Sequence, residues 1–142
     1  MLNSPESTYF LSTLHIEPNM FIYLLVACDR LEEAQEEKLK ANLPEIQAAL
    51  QKFVDDNNHA KATLINDCES EYPEDWQLGI SQSAKKKIHL KDPIQFFNDL
   101  AKKFAIDCEI GSLDGEVREP VSYFGHEEGK GDSFMIGEYL GL

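Results

Sequence analysis

From Met20 to Cys28 the chain carries no charged side chain, between Pro18-Asn19 on one side and Asp29-Arg30 on the other. The run is too short to cross a bilayer and has no polar stripe at helical spacing, so it predicts a β-strand. Alternation puts Phe21, Tyr23, Leu25 and Ala27 on one face and Ile22, Leu24, Val26 and Cys28 on the other. Both sets are apolar. Both faces must therefore be covered, and the strand belongs in the middle of a layered structure.

The remaining elements are read outward from it. Residues 1–7 are polar and predict a flexible terminus ahead of a single domain spanning 8–142. Thr8–His15 has β-forming residues and leads through Glu17-Pro18-Asn19 into the central strand, as a hairpin or as an unstructured arm. Asp29 is expected to cap a helix whose apolar stripe is Leu39, Leu43, Ile46, Leu50 and Phe53. Pro44 interrupts that stripe, and Asn42 with Glu45 resembles a capping box, so a kink or short break is expected there. Ala62–Cys68 reads as a second strand. Trp76, Leu78 and Ile80 point inward from a third, and Lys85–Leu90 reads as a further short one.

Asp92-Pro93 then opens a helix with Ile94, Phe97, Leu100, Ala101 and Phe104 buried and Lys102 and Lys103 at its negative end. Asp114-Gly115 is a hairpin signal, and a two-residue turn there pairs Ser112 with Val117, Ile110 with Glu119, Cys108 with Val121 and Ile106 with Tyr123. Pro120 cannot donate to a ladder, which makes the second arm an edge strand. After a 125–131 loop, Asp132 or Ser133 caps a short helix carrying Phe134, Met135, Ile136, Tyr139 and Leu140. The expected fold is α+β: a single domain with a mostly antiparallel sheet and two long helices on one face. The order is that of a split βαβ (ferredoxin-like) unit, with a short C-terminal helix added.

Charge changes the picture more than composition does. The 142 residues include 26 Asp and Glu against 13 Lys and Arg, a formal charge of −13. Such a surface repels nucleic-acid phosphates and anionic lipid and attracts basic partners. No basic-then-apolar leader opens the chain, no stretch reads as a membrane span, and 3 cysteines do not make a disulfide framework. A cytoplasmic location is expected.

Catalytic signatures are sparse. Each cysteine has acidic neighbours (Asp29 at Cys28, Asp67 and Glu69 at Cys68, Asp107 and Glu109 at Cys108), which opposes thiolate formation and suggests core residues. His15, His59, His89 and His126 form no ligand-spaced pair with each other or with cysteine, so neither a metal nor another cofactor is expected. The 125–131 loop has glycines and one Lys, but Glu127 and Glu128 at its centre oppose phosphate binding. Lys85-Lys86-Lys87 reads as edge protection or a local counter-charge.

What remains is an acidic and aromatic turn holding Asp67, Glu69, Glu71, Tyr72, Glu74 and Asp75, with Tyr72 the better anchor and Trp76 the core residue. Together with His126, Glu127 and Glu128 it forms the candidate binding set. The expected function is non-enzymatic: binding or inhibition of a basic protein partner, on the pattern of proteins that neutralise a toxin or mimic nucleic acid. A small enzyme with a site around Glu119, His126, Glu127 and Glu128 is the alternative. A homodimeric accessory protein is the second.

Overall fold

The computed structural model describes residues 20–142; the expected loose terminus and the Thr8–His15 strand lie outside the described residues. Among the described residues the molecule is an α+β domain built on an antiparallel sheet. Its strands are β1 (Met20–Val26), β2 (Thr63–Asp67), β3 (Gln77–Ala84), β4 (Asp107–Asp114) and β5 (Val117–Gly125). Three helices accompany them: α1 (Glu33–Asp56), α2 (Lys91–Phe104) and α3 (Ser133–Tyr139). The sheet order is β2-β3-β1-β4-β5, so the uncharged run is the central strand. From Ile22 to Cys28 every residue is buried, with side chains of both alternating sets inside.

Helical periodicity located α1 and α2 correctly, and local chemistry set their ends differently from expectation. Asp29 does not cap α1; it lies in a 3-10 turn, Cys28–Arg30. Glu32 is the N-cap instead, in a capping box with Gln35, whose Oε1 accepts from the Glu32 N–H at 2.8 Å. Pro44 does not break the helix, which runs unbroken across it. Pro44 and Lys40, whose carbonyl loses its intrahelical donor, both lie on the exposed face of the helix, where the loss is least costly. Lys85–Leu90 is not a strand. Residues Lys87–Leu90 form a 3-10 turn that runs straight into α2, which moves the helix start ahead of Asp92-Pro93 to Lys91.

The hairpin forms, but its turn is Gly115-Glu116. Asp114 pairs with Val117, Ser112 with Glu119 and, past a bulge at Ile110/Gly111, Ile110 with Ser122 and Cys108 with Phe124. Gly115 has φ +63°, the conformation a type II′ turn requires at its first central residue. The bulge lies where a Cβ on Gly111 would come within 2.8 Å of Pro120 Cα. Among the described residues β5 is an edge strand, in keeping with Pro120, which cannot donate to a ladder.

One continuous core joins Ile22, Leu24 and Val26 of β1 with Leu78 and Ile80, Cys108 and Ile110, and the helical stripes Leu39-Ile46-Leu50-Phe53 and Ile94-Phe97-Leu100-Phe104. Phe53 and Phe96 bring the two helices together with ring centroids 4.6 Å apart. Leu43 is only half-buried, and of the C-terminal helix's apolar residues Ile136 and the adjoining Leu140 reach the core.

Gly79 lies between Leu25 and Ile65 in the ladder. A Cβ there would overlap the Leu24 carbonyl oxygen and stand 2.8 Å from Leu25 Cα, both backbone atoms that cannot yield without moving β1. Gly79→Ala should therefore cost about 3 kcal/mol. Gly115→Asn has open space around its Cβ and carries only the strain of the positive φ, so it should cost less, about 1–2 kcal/mol. Urea midpoints of the two variants check the ranking.

Candidate functional site

In an antiparallel sheet neighbouring strands begin at opposite ends, and this one brings separate acidic segments to the same end. β2 finishes at Asp67, opposite the first residue of β3, Gln77. β4 begins at Asp107, opposite the last residue of β5, Gly125. β1 ends between them, where the Ala27 N–H donates to the Asp107 carbonyl at 2.9 Å. The Asp67–Asp75 segment, the 3-10 turn at Cys28–Arg30 and the 125–131 loop are consequently neighbours. Turns Cys28–Arg30 and Pro73–Asp75 pack on each other. Arg30 reaches the other way, its Nη2 3.0 Å from Glu128 Oε2.

Every carboxylate of the predicted set is exposed: Asp67, Glu69, Glu71, Glu74 and Asp75 in one segment, Glu127 and Glu128 in the other. Tyr72 is 60% exposed beside them, whereas Trp76 is buried and spends its indole N–H on the Ser70 carbonyl at 2.7 Å. Ser70 Oγ also accepts the Tyr72 N–H at 3.0 Å. The loop is thereby tied down around its buried Trp and presents its Tyr outward. Glu127 and Glu128 are held through their backbone, both N–H groups donating to Asp107 Oδ1 at 2.9 and 3.2 Å. Their side chains reach Gln35 Nε2 (3.4 Å) and Arg30 respectively.

The adjacent sheet face carries a group that periodicity did not single out. Tyr23 donates its phenol to Glu109 Oε2 at 2.5 Å, across the β1–β4 ladder. Tyr123 lies opposite Glu109 on β5. Two guanidiniums cover the rings: Arg30 is 4.3 Å from the Tyr123 centroid and Arg118 5.6 Å from that of Tyr23. Arg118 also donates to Gln77 Oε1. Burial pushes the Tyr23 phenol up, helped by its bond to the Glu109 carboxylate; the same two causes raise Tyr123, against the pull of Arg30. Arg30 thus touches the acidic end and the aromatic face at once. The signal available in the sequence was the spacing of Tyr23, Glu109 and Tyr123 on one face, legible only with the hairpin register known.

Other expected chemistry is differently placed. Glu119 is exposed opposite Ser112 and not beside Ile110, because the turn shift moves it along the ladder. Strand β5 separates it from His126 by about 20 Å at the usual rise per residue, so the residues of the enzymatic alternative do not converge. His126 instead lines a cavity of about 470 Å³ with Asn98, Asp99, Lys102 and Lys130, which neither Glu127 nor Glu128 enters. Among the described residues, no three His, Cys, Asp or Glu side chains gather in a metal-binding cluster. No helix among them is long and apolar enough to cross a membrane. Lys87 pairs with Glu138 and lies 4.3 Å over the Phe134 ring, acting as a local counter-charge. Edge protection is excluded for its run, since β3 is an inner strand.

Cys28 and Cys108 are buried and Cys68 half-buried, all as free thiols. Burial is the main cause that pushes Cys28 up to about 12 and Cys68 to about 11 from an ordinary 9.0, with Asp29 and Asp67 adding to it. Unfolded, these thiols ionise near pH 9; folded, they hold their protons longer, so their contribution is complete below pH 9 and is lost as pH rises from there to about 12. Urea midpoints should stay level on the alkaline side of neutrality up to about pH 9 and then fall. In Cys68→Ala the decline between pH 9 and about 11 should be shallower, measured by circular dichroism.

No protein-family model, curated protein or solved structure matches the chain, which leaves the geometry of the molecule itself as the guide to its role.

Proposed function

We propose that the chain is a non-enzymatic binding protein whose acidic end captures a basic protein partner, of the kind neutralised by an antitoxin or recognised through mimicry of nucleic acid. The observation that carries this is the meeting of Asp67–Asp75 with Glu127 and Glu128 around the Cys28–Arg30 turn. Carboxylates from distant parts of the chain then act on one approaching surface. Their field raises the encounter rate, and Tyr72 supplies a rigid aromatic contact amid them. The ties through Ser70, Trp76 and Asp107 hold both segments before contact, which limits the ordering cost of binding.

The scaffold behind this surface is proposed to be a split βαβ unit, with both long helices on one face and β5 added at the edge. The strand order, and the shared core of α1 and α2 with one alternating set of β1, support that arrangement. A homodimeric role draws on a different surface. Phe134, Met135 and Tyr139 of α3 are exposed, and sedimentation velocity at several concentrations separates a dimer using them from a monomer.

Charge reversal distinguishes a patch from mere net charge. Glu69→Lys with Glu74→Lys alters the acidic end; Asp55→Lys with Asp56→Lys makes the same change in net charge at the C-terminal end of α1. Wild-type protein immobilised at low salt should recover a basic partner, with association slowing steeply as salt rises. The first double variant should lose that recovery and the second should keep it. Equal loss in both would reduce the proposal to bulk electrostatics, and salt-independent capture of a neutral protein would remove it.

A further inference from the structure

At the opposite end of the sheet the structure holds a second polar site. The 3-10 turn Asn58–Ala60, the end of β3 and the 3-10 turn Lys87–Leu90 enclose a cavity of about 380 Å³, within the size range of small-molecule sites. Side chains bolt both turns to the strand. Ser83 Oγ donates to the Ala60 carbonyl at 3.0 Å on one side. His89 Nδ1 accepts the Lys85 and Lys86 N–H groups at 3.0 and 3.3 Å on the other. Those two bonds leave the neutral His89 with its proton on Nε2, a fixed donor at the cavity wall.

Gln82 also lines this cavity, and at 2% exposure it is the one buried amide or charged side chain among the described residues. Its Nε2 reaches the Ser83 carbonyl at a long 3.4 Å, while its Oε1 has no hydrogen-bond partner. Leaving such an acceptor dry costs a fold about 1–3 kcal/mol, and Leu at this position would avoid that cost. In the unliganded fold Oε1 has almost no surface open to the cavity that Gln82 lines, so an acceptor kept there against stability fits a site in which the Gln82 amide turns outward to receive a ligand's donor. Lys61 and Lys85 also line the cavity, against Asp92 as its one carboxylate. Local charge therefore runs opposite to the chain's −13. Lys61 adopts φ 58°, a left-handed conformation that a side chain other than glycine enters at a cost.

We propose that this cavity binds a small organic anion, phosphate- or carboxylate-bearing, with its charge among Lys61, Lys85 and the His89 Nε2–H and an N–H or O–H donor set onto Gln82 Oε1. Ile88, exposed at the cavity, and Pro93 supply apolar contact for its carbon skeleton. The site does not depend on the acidic end, and either proposal stands or falls without the other.

Two anions test it by nuclear magnetic resonance on the full chain: glycerol 3-phosphate, which carries hydroxyl donors, and sulfate, which carries none. Glycerol 3-phosphate should shift Gln82, His89, Lys61 and Lys85 resonances saturably, with a Kd near 1 mM or below, and sulfate should bind more weakly. Gln82→Leu should weaken glycerol 3-phosphate about tenfold and leave sulfate unchanged. Gln82→Met serves if the Leu variant does not fold. Lys61→Ala with Lys85→Ala should weaken both. Without ligand, Gln82→Leu should be at least as stable as wild type; a large loss would mean that the amide is satisfied internally and would overturn the proposal. So would the absence of saturable shifts from both anions at about 10 mM, or unchanged glycerol 3-phosphate binding in the Gln82 variants.

Discussion

The burial of β1 on both of its faces is the constraint on which the rest depends. A strand with Ile22, Leu24 and Val26 on one side and Tyr23 and Leu25 on the other has no face left for water. Its backbone donors and acceptors must be met by neighbours on both edges, and β3 and β4 supply them. Once β1 is central, its last residues must emerge between the entry of β3 and the entry of β4. That is why Cys28–Arg30, a turn of no evident interest in the sequence, becomes the junction of two acidic segments. Position in the sheet made Arg30 a hub.

Arg30 also sets how far charge repulsion is relieved there. A row of exposed carboxylates destabilises itself, more at low salt than at high. Arg30 and the Asp107-bound backbone N–H groups of Glu127 and Glu128 offset part of that within the fold. Among the described residues the Asp67–Asp75 segment has no such cation in its hydrogen bonds; its supports are Ser70 and the buried Trp76. Its carboxylates therefore project an uncompensated negative field outward. A partner supplying lysines or arginines would relieve the repulsion on binding, which links recognition and stability through the same charges.

Elements with a strong period were legible in advance. Met20–Val26 stood out by its lack of charge, and the stripes Leu39-Ile46-Leu50-Phe53 and Ile94-Phe97-Leu100-Phe104 by their spacing. Lys85–Leu90 was not, because Ile88 and Leu90 alternate with Lys87 and His89 as well as any strand does. The turn is decided by His89 Nδ1 accepting two backbone N–H groups, a contact that alternation cannot express. The hairpin register depended on Gly115 filling the first turn position in place of the second, and on a bulge where Gly111 meets Pro120. The acidic and aromatic residues could be named from the sequence, but their convergence could not, since it follows from strand order. Gln82 was not singled out, because the inward set Trp76, Leu78 and Ile80 was not carried on to Gln82 and Ala84, which the longer β3 places on the same buried side.

Gln82 and Glu109 show how differently a polar group can be accommodated beside a core. Glu109 has Tyr23 as a donor at 2.5 Å, with Tyr123 and the two arginines close by, so its charge is supported within the fold. Replacing it would leave the Tyr23 phenol buried without a partner, and its retention is explained by stability alone. Gln82 has no equivalent. Its neighbours Ile80 and Ala84 are apolar, its carbonyl end is unmet, and a leucine of similar volume would give up only the long Nε2 bond to the Ser83 carbonyl. Among the described residues the polar atoms of buried Tyr23 and Trp76 have partners while Gln82 Oε1 has none, and an exception of that kind points to a reason outside folding. The lysines and histidines gathered at the same cavity indicate the chemistry of that reason, because they favour an anion in a molecule whose overall charge repels one.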